Sequence, residues 1–425
     1  MTMTPDRASS NPAALAVSLL AAAVMAACGG GNNGSAEQSS ATAQAQTPNT
    51  SVQGSGDTSS AASTGTTTTA TVSTTTPAST ASSVDSDPDP TGPLVQPSDN
   101  FADASNPDPQ VRAQSIAGGF VDTAAVFINA ALIPVGSGGL GVDKLQPTTE
   151  LPVPEDDGAF RTVCQYSHMA YDDPIVFPNQ PGKSHLHAFF GNHGANAYST
   201  AKSIASTGNS TCKGGTINRT AYWVPAMIDT RNGAPVKPSD SNFYYKSGDK
   251  RIKPSSIHPM PQGLRMIAGD PKNTSPSGPF WYNCKNGSNV MEIPNCGVGV
   301  ELYQNVSFPQ CWDGVNLDSP DHKSHMAYPI VNNAAGTVLC PADHPVMLPQ
   351  VTFRIIYTIT EANAPTHWRL SSDTYDRKLP AGYSSHGDWF NGWKSDISDT
   401  WAKKCIDASV DCHSHLLGDG RKMSF

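Results

Sequence analysis

The sequence is poor in charged residues. Lys, Arg, Asp and Glu make up 15% of its 425 residues, and the formal net charge is −9. Nine acidic residues and a single base, Arg7, fall in residues 1–110, which leaves 26 bases and 27 acids for the remainder. Because a nearly neutral body without clusters of Lys and Arg lacks the positive surface that phosphate backbones require, we expect no nucleic-acid partner.

Lys, Arg and aromatic residues are all absent between residues 29 and 99, where Ser, Thr, Ala and Gly predominate. Such a stretch cannot bury enough apolar surface to offset the entropy cost of ordering it. The sequence therefore predicts a disordered tether over residues 28–105, followed by a single globular domain over residues 106–425.

An apolar run precedes the tether and is too short to span a bilayer as a permanent helix. It extends from Ala13 to Ala27, and the small residues directly before Cys28 resemble a bacterial lipobox. We interpret residues 1–27 as a signal peptide and Cys28 as the site of lipidation; the alternative is ordinary signal cleavage beside an incidental cysteine. The resemblance implies an exported protein whose lipid anchors it to the membrane of the bacterial cell envelope. Gly29 after the cysteine favours the outer membrane.

Cys-x-x-Cys pairs are also lacking, so a thiolate zinc site or a thioredoxin-like motif has no support. Eight cysteines remain after Cys28, and an even number in an exported chain favours disulfide bonds. Short intervening loops favour two local pairs and leave two others: Cys284 with Cys296, Cys405 with Cys412, Cys164 with Cys212, and Cys311 with Cys340.

Long helical periodicity is scarce, because Pro and Gly recur every few residues. Apolar residues alternate from Val351 to Ile359, which is the pattern of a half-buried strand. Helix is predicted only near the two ends of the domain, at residues 109–133 and 395–406. We therefore predict a mainly β fold with long loops and a few short helices, in a single disulfide-bonded, β-sandwich-like domain.

The chain has no Gly-x-Ser-x-Gly elbow, phosphate loop, dinucleotide fingerprint or His-Glu-x-x-His motif, so the usual hydrolase, nucleotide and zincin functions lose support. Its histidines cluster instead. His185 and His187 share one face of an extended strand, as do His386 and Asp388. His325 falls in a loop rich in Asp and Ser. These five residues are the catalytic candidates.

Convergence of these groups would give them a shared chemistry. His185, His187 and His386 are the candidate ligands of a divalent metal such as zinc, which would activate water or polarise a substrate. Without a metal, Asp388 or Asp318 beside a histidine could act as general acid and base. The structural alternative is that each histidine merely satisfies a backbone carbonyl.

Aromatic and polar residues near these clusters are candidates for substrate contacts. An indole can stack on a sugar ring, although core packing is its commoner role, and Arg265 could clamp a carboxylate or support a turn. The substrate-binding candidates are Trp223, Arg265, Asp313, Asp318, Asn391 and Trp393.

An ordered series of motifs resembles the family catalogued as domain of unknown function nineteen ninety-six, over roughly residues 160–410. The series is Asp173-Pro-Ile-Val, His185-x-His-x-Phe-x-Gly, Tyr222-Trp-x-Pro, Trp312-Asp-Gly-x-Asn-Leu-Asp-Ser-Pro, Ser324-His-x-Ala-Tyr, Cys340-Pro and His386-Gly-Asp-x-x-Asn-Gly-Trp. Members are secreted proteins of fungi and bacteria, and some fungal members are joined to carbohydrate-binding modules. The resemblance implies a cell-wall or polysaccharide context.

Three functions follow as hypotheses. The first is a surface-tethered lipoprotein whose His/Asp-lined cleft binds or hydrolyses cell-wall or environmental polysaccharide. The second is a non-catalytic glycan- or wall-binding scaffold, and the third is a metal-binding envelope protein. Convergence of His185, His187 and His386 would favour the first or the third, whereas their dispersal over separate buried networks would favour the scaffold.

Overall fold

The computed structural model describes residues 126–155 and 157–425. The predicted signal peptide, Cys28, the tether and the predicted start of the domain at residue 106 lie outside the described residues. Within the described part of the chain, no helix is long and apolar enough to cross a membrane.

Strands and long loops make up most of the described chain, with a few short helices. The first strands are β1 (Leu145–Pro147), β2 (Val153–Pro154), β3 (Ala159–Val163), β4 (Tyr166–Ala170), β5 (His187–Gly191), β6 (Ala221–Pro225), β7 (Met227–Asp229), β8 (Ala234–Pro235), β9 (Asp240–Lys246), β10 (Arg265–Gly269) and β11 (Phe280–Cys284). They are followed by β12 (Glu301–Ser307), β13 (Cys311–Trp312), β14 (Met326–Ala327), β15 (Ile330–Asn332), β16 (Thr337–Leu339), β17 (Val346–Met347), β18 (Gln350–Thr358), β19 (Trp368–Leu370), β20 (His386–Phe390), β21 (Val410–Asp411) and β22 (Arg421–Met423).

The helices are short. They are α1 (Ala201–Ser206) and α2 (Ser395–Trp401), the latter continued by a π-helical turn at Ala402–Ile406, with 3₁₀ turns at Ala130–Leu132, Pro254–Ser256 and Ala364–His367. The helix predicted near residues 395–406 is confirmed. The one predicted near 109–133 is wrong over its described end, where only a 3₁₀ turn forms.

Two main sheets organise the domain. A five-stranded antiparallel sheet has the order β10-β20-β6-β5-β4. A seven-stranded sheet has the order β11-β12-β18-β9-β3-β21-β2 and is antiparallel except for the pairing of β21 with β3. Smaller sheets join β14-β13-β17, β19-β7-β8, β1-β22 and β15-β16.

The two main sheets pack face to face through aromatic side chains. Tyr222 of β6 stacks on Phe243 of β9 with ring centroids 3.8 Å apart, and Phe243 meets Phe353 of β18 edge to face at 4.8 Å. The hydroxyl of Tyr245 lies 2.8 Å from that of Tyr222 and also accepts hydrogen bonds from the indole N–H groups of two tryptophans, Trp389 and Trp393. This interface confirms the predicted sandwich.

Strands of the two sheets differ in burial. In β18 buried and partly exposed residues alternate from Gln350 to Ile355, as the alternating sequence predicted, and Ile356 and Tyr357 that follow are both buried. In β5, β6 and β20 every residue is buried, because both faces of the five-stranded sheet are covered. Side chains of its outer face, among them Phe189, Trp223 and Phe390, form a second apolar cluster with residues of α1 and of the segments before it: Ile175, Ala195, Ala201 and Ile204.

A glycine brings β20 close to the opposite sheet. Gly387 lies on the inner face, where an added Cβ would stand 3.1 Å from Phe353 and 3.2 Å from Phe308. These distances are tighter than ordinary van der Waals contacts, so a side chain at this position would require the phenylalanine rings to shift in a close-packed interior. The flanking residues, His386 and Asp388, are buried in the strand, and alternation along a strand directs their side chains to the outer face.

Four disulfide bonds tie the described chain together. They join Cys164 to Cys212, Cys284 to Cys296, Cys311 to Cys340 and Cys405 to Cys412. All four predicted pairs are confirmed.

Candidate functional site

Three histidines meet on the outer face of the five-stranded sheet. His187 opens β5, His185 lies two residues before it, and His386 opens β20. The ring centroid of His185 is 4.2 Å from that of His187 and 4.9 Å from that of His386, and the rings of His187 and His386 are 5.7 Å apart. The structure therefore brings together three of the four candidate catalytic histidines, although β6 lies between the strands of His187 and His386 in the sheet.

Backbone carbonyls orient two of the rings. Nδ1 of His187 donates to the carbonyl of Asp172 at 2.9 Å, and Nδ1 of His386 donates to the carbonyl of Ser384 at 2.8 Å. Since a carbonyl can only accept, each Nδ1 carries the proton and each Nε2 of the neutral ring presents a lone pair. Nε2 of His386 lies 3.1 Å from Nε2 of His185, whereas Nε2 of His187 is buried without a hydrogen-bond partner.

Two carboxyl groups join the cluster. Oxygen atoms of Asp173 and Asp388 lie with a ring nitrogen of His187 in a set whose members are all within 4.8 Å of one another. Oδ1 of Asp173 accepts the backbone N–H groups of Ile175 and Val176, each at 2.9 Å. Oδ2 of Asp388 is buried without a hydrogen-bond partner. Trp223 pairs with Asp388 in the register of β6 and β20, so its indole borders the same cluster.

Burial favours the uncharged form of each of these groups. It lowers the pKa of His187 to about 3 and that of His386 to about 4, and it holds the pKa of His185 well below its usual range. Burial also raises the pKa of Asp173, and it raises that of Asp388 well above its usual range, with the neighbouring Asp173 adding to the effect. The histidines are therefore neutral at pH 7. Nε2 of His187 and Nε2 of His386 carry no proton of their own, and one proton can be shared between Nε2 of His185 and Nε2 of His386.

We expect Asp388→Asn to raise the free energy of unfolding at neutral pH in the presence of a chelator. An unfolded aspartate loses its proton near pH ~4, whereas the folded pKa of Asp388 is raised. The wild-type chain therefore loses stability as the pH rises from about 4 through the folded pKa, and the amide does not titrate. Urea unfolding across this pH range should show a gain that is small at the acid end and grows with pH.

The matched control for this prediction is Asp321→Asn. Oδ1 of Asp321 accepts the backbone N–H and the hydroxyl of Ser324, and these bonds lower the pKa of Asp321. A lowered pKa stabilises the folded chain above pH ~4, so this variant should lose stability at neutral pH. Identical pH dependence in the two variants would contradict the assignment of a raised pKa to Asp388.

A cleft of 910 Å³ opens beside the cluster. Asp173 directly precedes the first lining segment, residues 174–180; the other segments are 197–200 and 315–322, and Arg265 also lines the cleft. The cleft and the cluster are therefore adjacent in the chain at Asp173 and Pro174, and the charge of His322 favours the ionised form of Asp173.

A charged trio lies in the wall of this cleft. Arg265 places Nη1 3.3 Å from Oδ2 of Asp318, and its guanidinium lies over the ring of Phe390 at 4.6 Å. Nδ1 of His322 lies 3.0 Å from Oδ1 of Asp318, and this hydrogen bond raises the pKa of His322. The three groups largely compensate one another's charge. Two of the predicted substrate-binding residues, Arg265 and Asp318, thus line the cleft as an ion pair.

Other candidates lie away from the cluster. His325 is buried, with Nδ1 bonded to the hydroxyl of Ser319 at 2.9 Å and Nε2 to the carbonyl of Arg265 at 2.7 Å, so both ring nitrogens are occupied. Its role in the structure is to hold the cleft loop against β10. Asp313 accepts backbone N–H groups of the next residues in its own loop turn, from Val315 and Asn316.

Two further substrate-binding candidates are part of the interior. Trp393 is fully buried, and its indole N–H donates to Tyr245 in the sandwich core. Asn391 is buried, with its amide donating to the carbonyl of Pro261 and its Oδ1 accepting the backbone N–H of Trp393. Both residues therefore support the fold and offer no surface to a ligand in this structure. Trp223 is also fully buried, although it borders the cluster.

The sequence-based candidates omitted two residues that the geometry brings to the site. Asp173 belongs to the Asp-Pro-Ile-Val motif, and its position before a cleft-lining segment was not visible in the sequence. His322 follows Asp318 at a spacing of four residues. This spacing predicts an ion pair only where the backbone forms a helix or a turn. Here the backbone of His322 adopts a left-handed conformation with φ of 58°.

Comparison with known families agrees with the motif series. The family model described as Domain of unknown function (DUF1996) matches residues 173–393, which is more than half of the chain. The protein belongs to this family. The matched region includes all five members of the His/Asp cluster and the whole cleft lining. No curated protein and no solved structure matches the chain.

Proposed function

We propose that this protein is an exported, lipid-anchored envelope protein that binds a neutral polysaccharide chain in its 910 Å³ cleft. The observation that carries the proposal is the chemistry of the cleft lining. Apart from the compensated trio of Arg265, Asp318 and His322, the lining consists of amide, hydroxyl, proline and aliphatic side chains with one exposed tyrosine, Tyr198.

This lining suits a sugar chain. Amide and hydroxyl groups such as those of Asn179, Gln180 and Thr200 both donate and accept hydrogen bonds, which matches the hydroxyl groups of a sugar. Proline, aliphatic and tyrosine side chains offer apolar surface to the C–H faces of the rings, and ligand sites commonly combine apolar walls with a few polar groups. A strongly anionic chain would require uncompensated positive charge, which this wall lacks.

Hydrolysis of the bound chain is a second candidate function. It is favoured by the convergence of His185, His187 and His386 with two carboxyl groups next to the cleft, since paired acid and base groups are what glycoside hydrolysis requires. Convergence also disfavours a purely structural role for these histidines. Because Asp173 and Asp388 are 4% and 1% exposed, the cleft supports binding more directly than it supports catalysis at these carboxyl groups.

Binding is testable with the purified full-length protein and soluble hexasaccharides. We expect a neutral probe such as cellohexaose, laminarihexaose or chitohexaose to bind, and polygalacturonate not to bind, in isothermal titration calorimetry. Tyr198→Ala should weaken binding about tenfold. Loss of an aromatic contact costs about 1.4 kcal/mol of binding free energy, which corresponds to a tenfold change in the dissociation constant.

The control is Tyr328→Ala, because Tyr328 is another exposed tyrosine but lines a different, smaller pocket of 370 Å³. The affinity of the Tyr328→Ala variant for the hexasaccharide should match that of the wild type. Failure of every neutral probe to bind, or equal losses in the two variants, would overturn the proposal. Release of reducing ends by the wild type, abolished in His386→Ala, would establish the hydrolytic function as well.

A further inference from the structure

We propose that His185, His187 and His386 form a binding site for one divalent transition-metal ion of the zinc type, each ligating through Nε2. The site goes beyond polysaccharide binding and does not depend on it. Imidazole nitrogen is a preferred ligand of zinc, copper and nickel, and three histidines with an open fourth position are a recurrent arrangement in catalytic zinc sites.

The spacing of the nitrogens fits a shared ion. Two nitrogens bound to one zinc at about 2.0–2.1 Å in tetrahedral geometry lie about 3.3 Å apart. Nε2 of His185 and Nε2 of His386 are separated by 3.1 Å. A ring nitrogen of His187 completes a set in which every pair lies within 4.8 Å. Small side-chain rotations would bring all three to bonding distance.

The hydrogen bonds fix which nitrogens face the ion. His187 and His386 donate Nδ1–H to the carbonyl groups of Asp172 and Ser384, an arrangement by which metal-binding histidines are commonly oriented. The Nε2 lone pairs are therefore preset. His185 can donate Nε2–H to His386 while no ion is bound, and moving that proton to its own Nδ1 frees Nε2 for ligation.

Two buried atoms without hydrogen bonds point independently to a ligand. Nε2 of His187, a fully buried residue, and Oδ2 of Asp388, whose side chain is 1% exposed, both lack a partner. Buried polar atoms are rarely left unsatisfied, and each instance calls for an explanation such as an ion or water. A cation between the histidines would satisfy the nitrogen, and the adjacent carboxylate would offset its charge.

The carboxyl groups do not form a second metal site. Asp173 and Asp388 share His187 with the three-histidine set, and Nε2 of His187 has one lone pair, so it can ligate only one ion. Three imidazoles suit zinc, whereas two carboxylates and one imidazole would suit a harder cation. The positions of the two aspartates leave them beside the ion, where they can accept a hydrogen bond from a bound water.

The test is a titration of the full-length protein with zinc chloride after treatment with EDTA. We expect one zinc per chain by calorimetry, and cobalt substitution should give the visible absorption of a tetrahedral site. His187→Ala and His386→Ala should each weaken zinc binding about 100-fold or more. The matched control, His258→Ala, removes an exposed histidine and should leave the affinity unchanged.

His185→Ala keeps the test decisive if the two buried variants do not fold. His185 is the only partly exposed member of the three, so its loss perturbs packing least, and circular dichroism in EDTA checks the fold. The same loss of zinc affinity is expected. Absence of stoichiometric zinc binding in the wild type, or wild-type affinity in folded His185→Ala, would overturn the metal site whether or not the cleft binds a hexasaccharide.

Discussion

Tyr245→Phe should lower the free energy of unfolding by about 3–5 kcal/mol, although it removes one oxygen atom. The hydroxyl of Tyr245 accepts hydrogen bonds from the indole N–H groups of Trp389 and Trp393 and contacts the hydroxyl of Tyr222. All four residues are fully buried. The phenylalanine would leave two indole donors unsatisfied, and each such buried group costs about 1–3 kcal/mol.

Urea unfolding of the oxidised protein measures this loss, with an unchanged dependence of the free energy on urea showing that the folded state is intact. The control is Tyr244→Phe. Tyr244 is the preceding residue of β9 and so faces the opposite side of the sheet, where its ring lies near the guanidinium of Arg354 and is retained in the variant. We expect a change within about 0.5 kcal/mol. Equal losses of unfolding free energy at the two positions would show that the hydrogen bonds to the hydroxyl of Tyr245 do not stabilise the core.

Among the four disulfide bonds, removal of Cys164–Cys212 should lower the free energy of unfolding most. The bond closes a loop of 48 residues, which contains both His185 and His187. Loop-closure entropy for a loop of this length corresponds to about 4 kcal/mol. The double variant Cys164→Ala/Cys212→Ala should therefore unfold at much lower urea concentration than the wild type.

The pair Cys405→Ala/Cys412→Ala is a matched comparison, because all four of these cysteines are fully buried. The separation of Cys405 from Cys412 is 7 residues, for which the same relation gives about 2 kcal/mol. Urea unfolding of both double variants tests the difference. A larger loss from the short loop would show that packing around the sulfurs, rather than loop closure, determines the stabilisation.

The main features of the fold could be predicted from local patterns. The alternating apolar residues of β18 and the short loops between cysteines depend only on neighbours in sequence, and both predictions are confirmed. The strands of the five-stranded sheet are buried on both faces, so their sequences carry no alternation from which a buried face could be assigned. It was therefore harder to predict which side chains of that sheet face the site.

Within the candidate site, the histidine pair was predictable and its surroundings were not. The spacing of His185 and His187 indicates a shared face, but only the sheet order brings His386 to them across β6. His325 is also a histidine among polar residues, yet its loop directs the ring toward the carbonyl of Arg265 and away from the cluster. Which histidine keeps a ring nitrogen without a hydrogen-bond partner depends on backbone contacts that residue type does not encode.

Gly387 makes the site depend on the interior of the sandwich. Its Cα faces Phe353 and Phe308 across the sheets, while its neighbours, His386 and Asp388, belong to the cluster on the other side. We therefore expect a substitution that changes the volume of either phenylalanine to shift β20, and with it both site residues. Selection on the core and selection on the site therefore act on the same strand. Variants that repack the interior should be accepted only when they conserve volume, even though no ligand ever touches them.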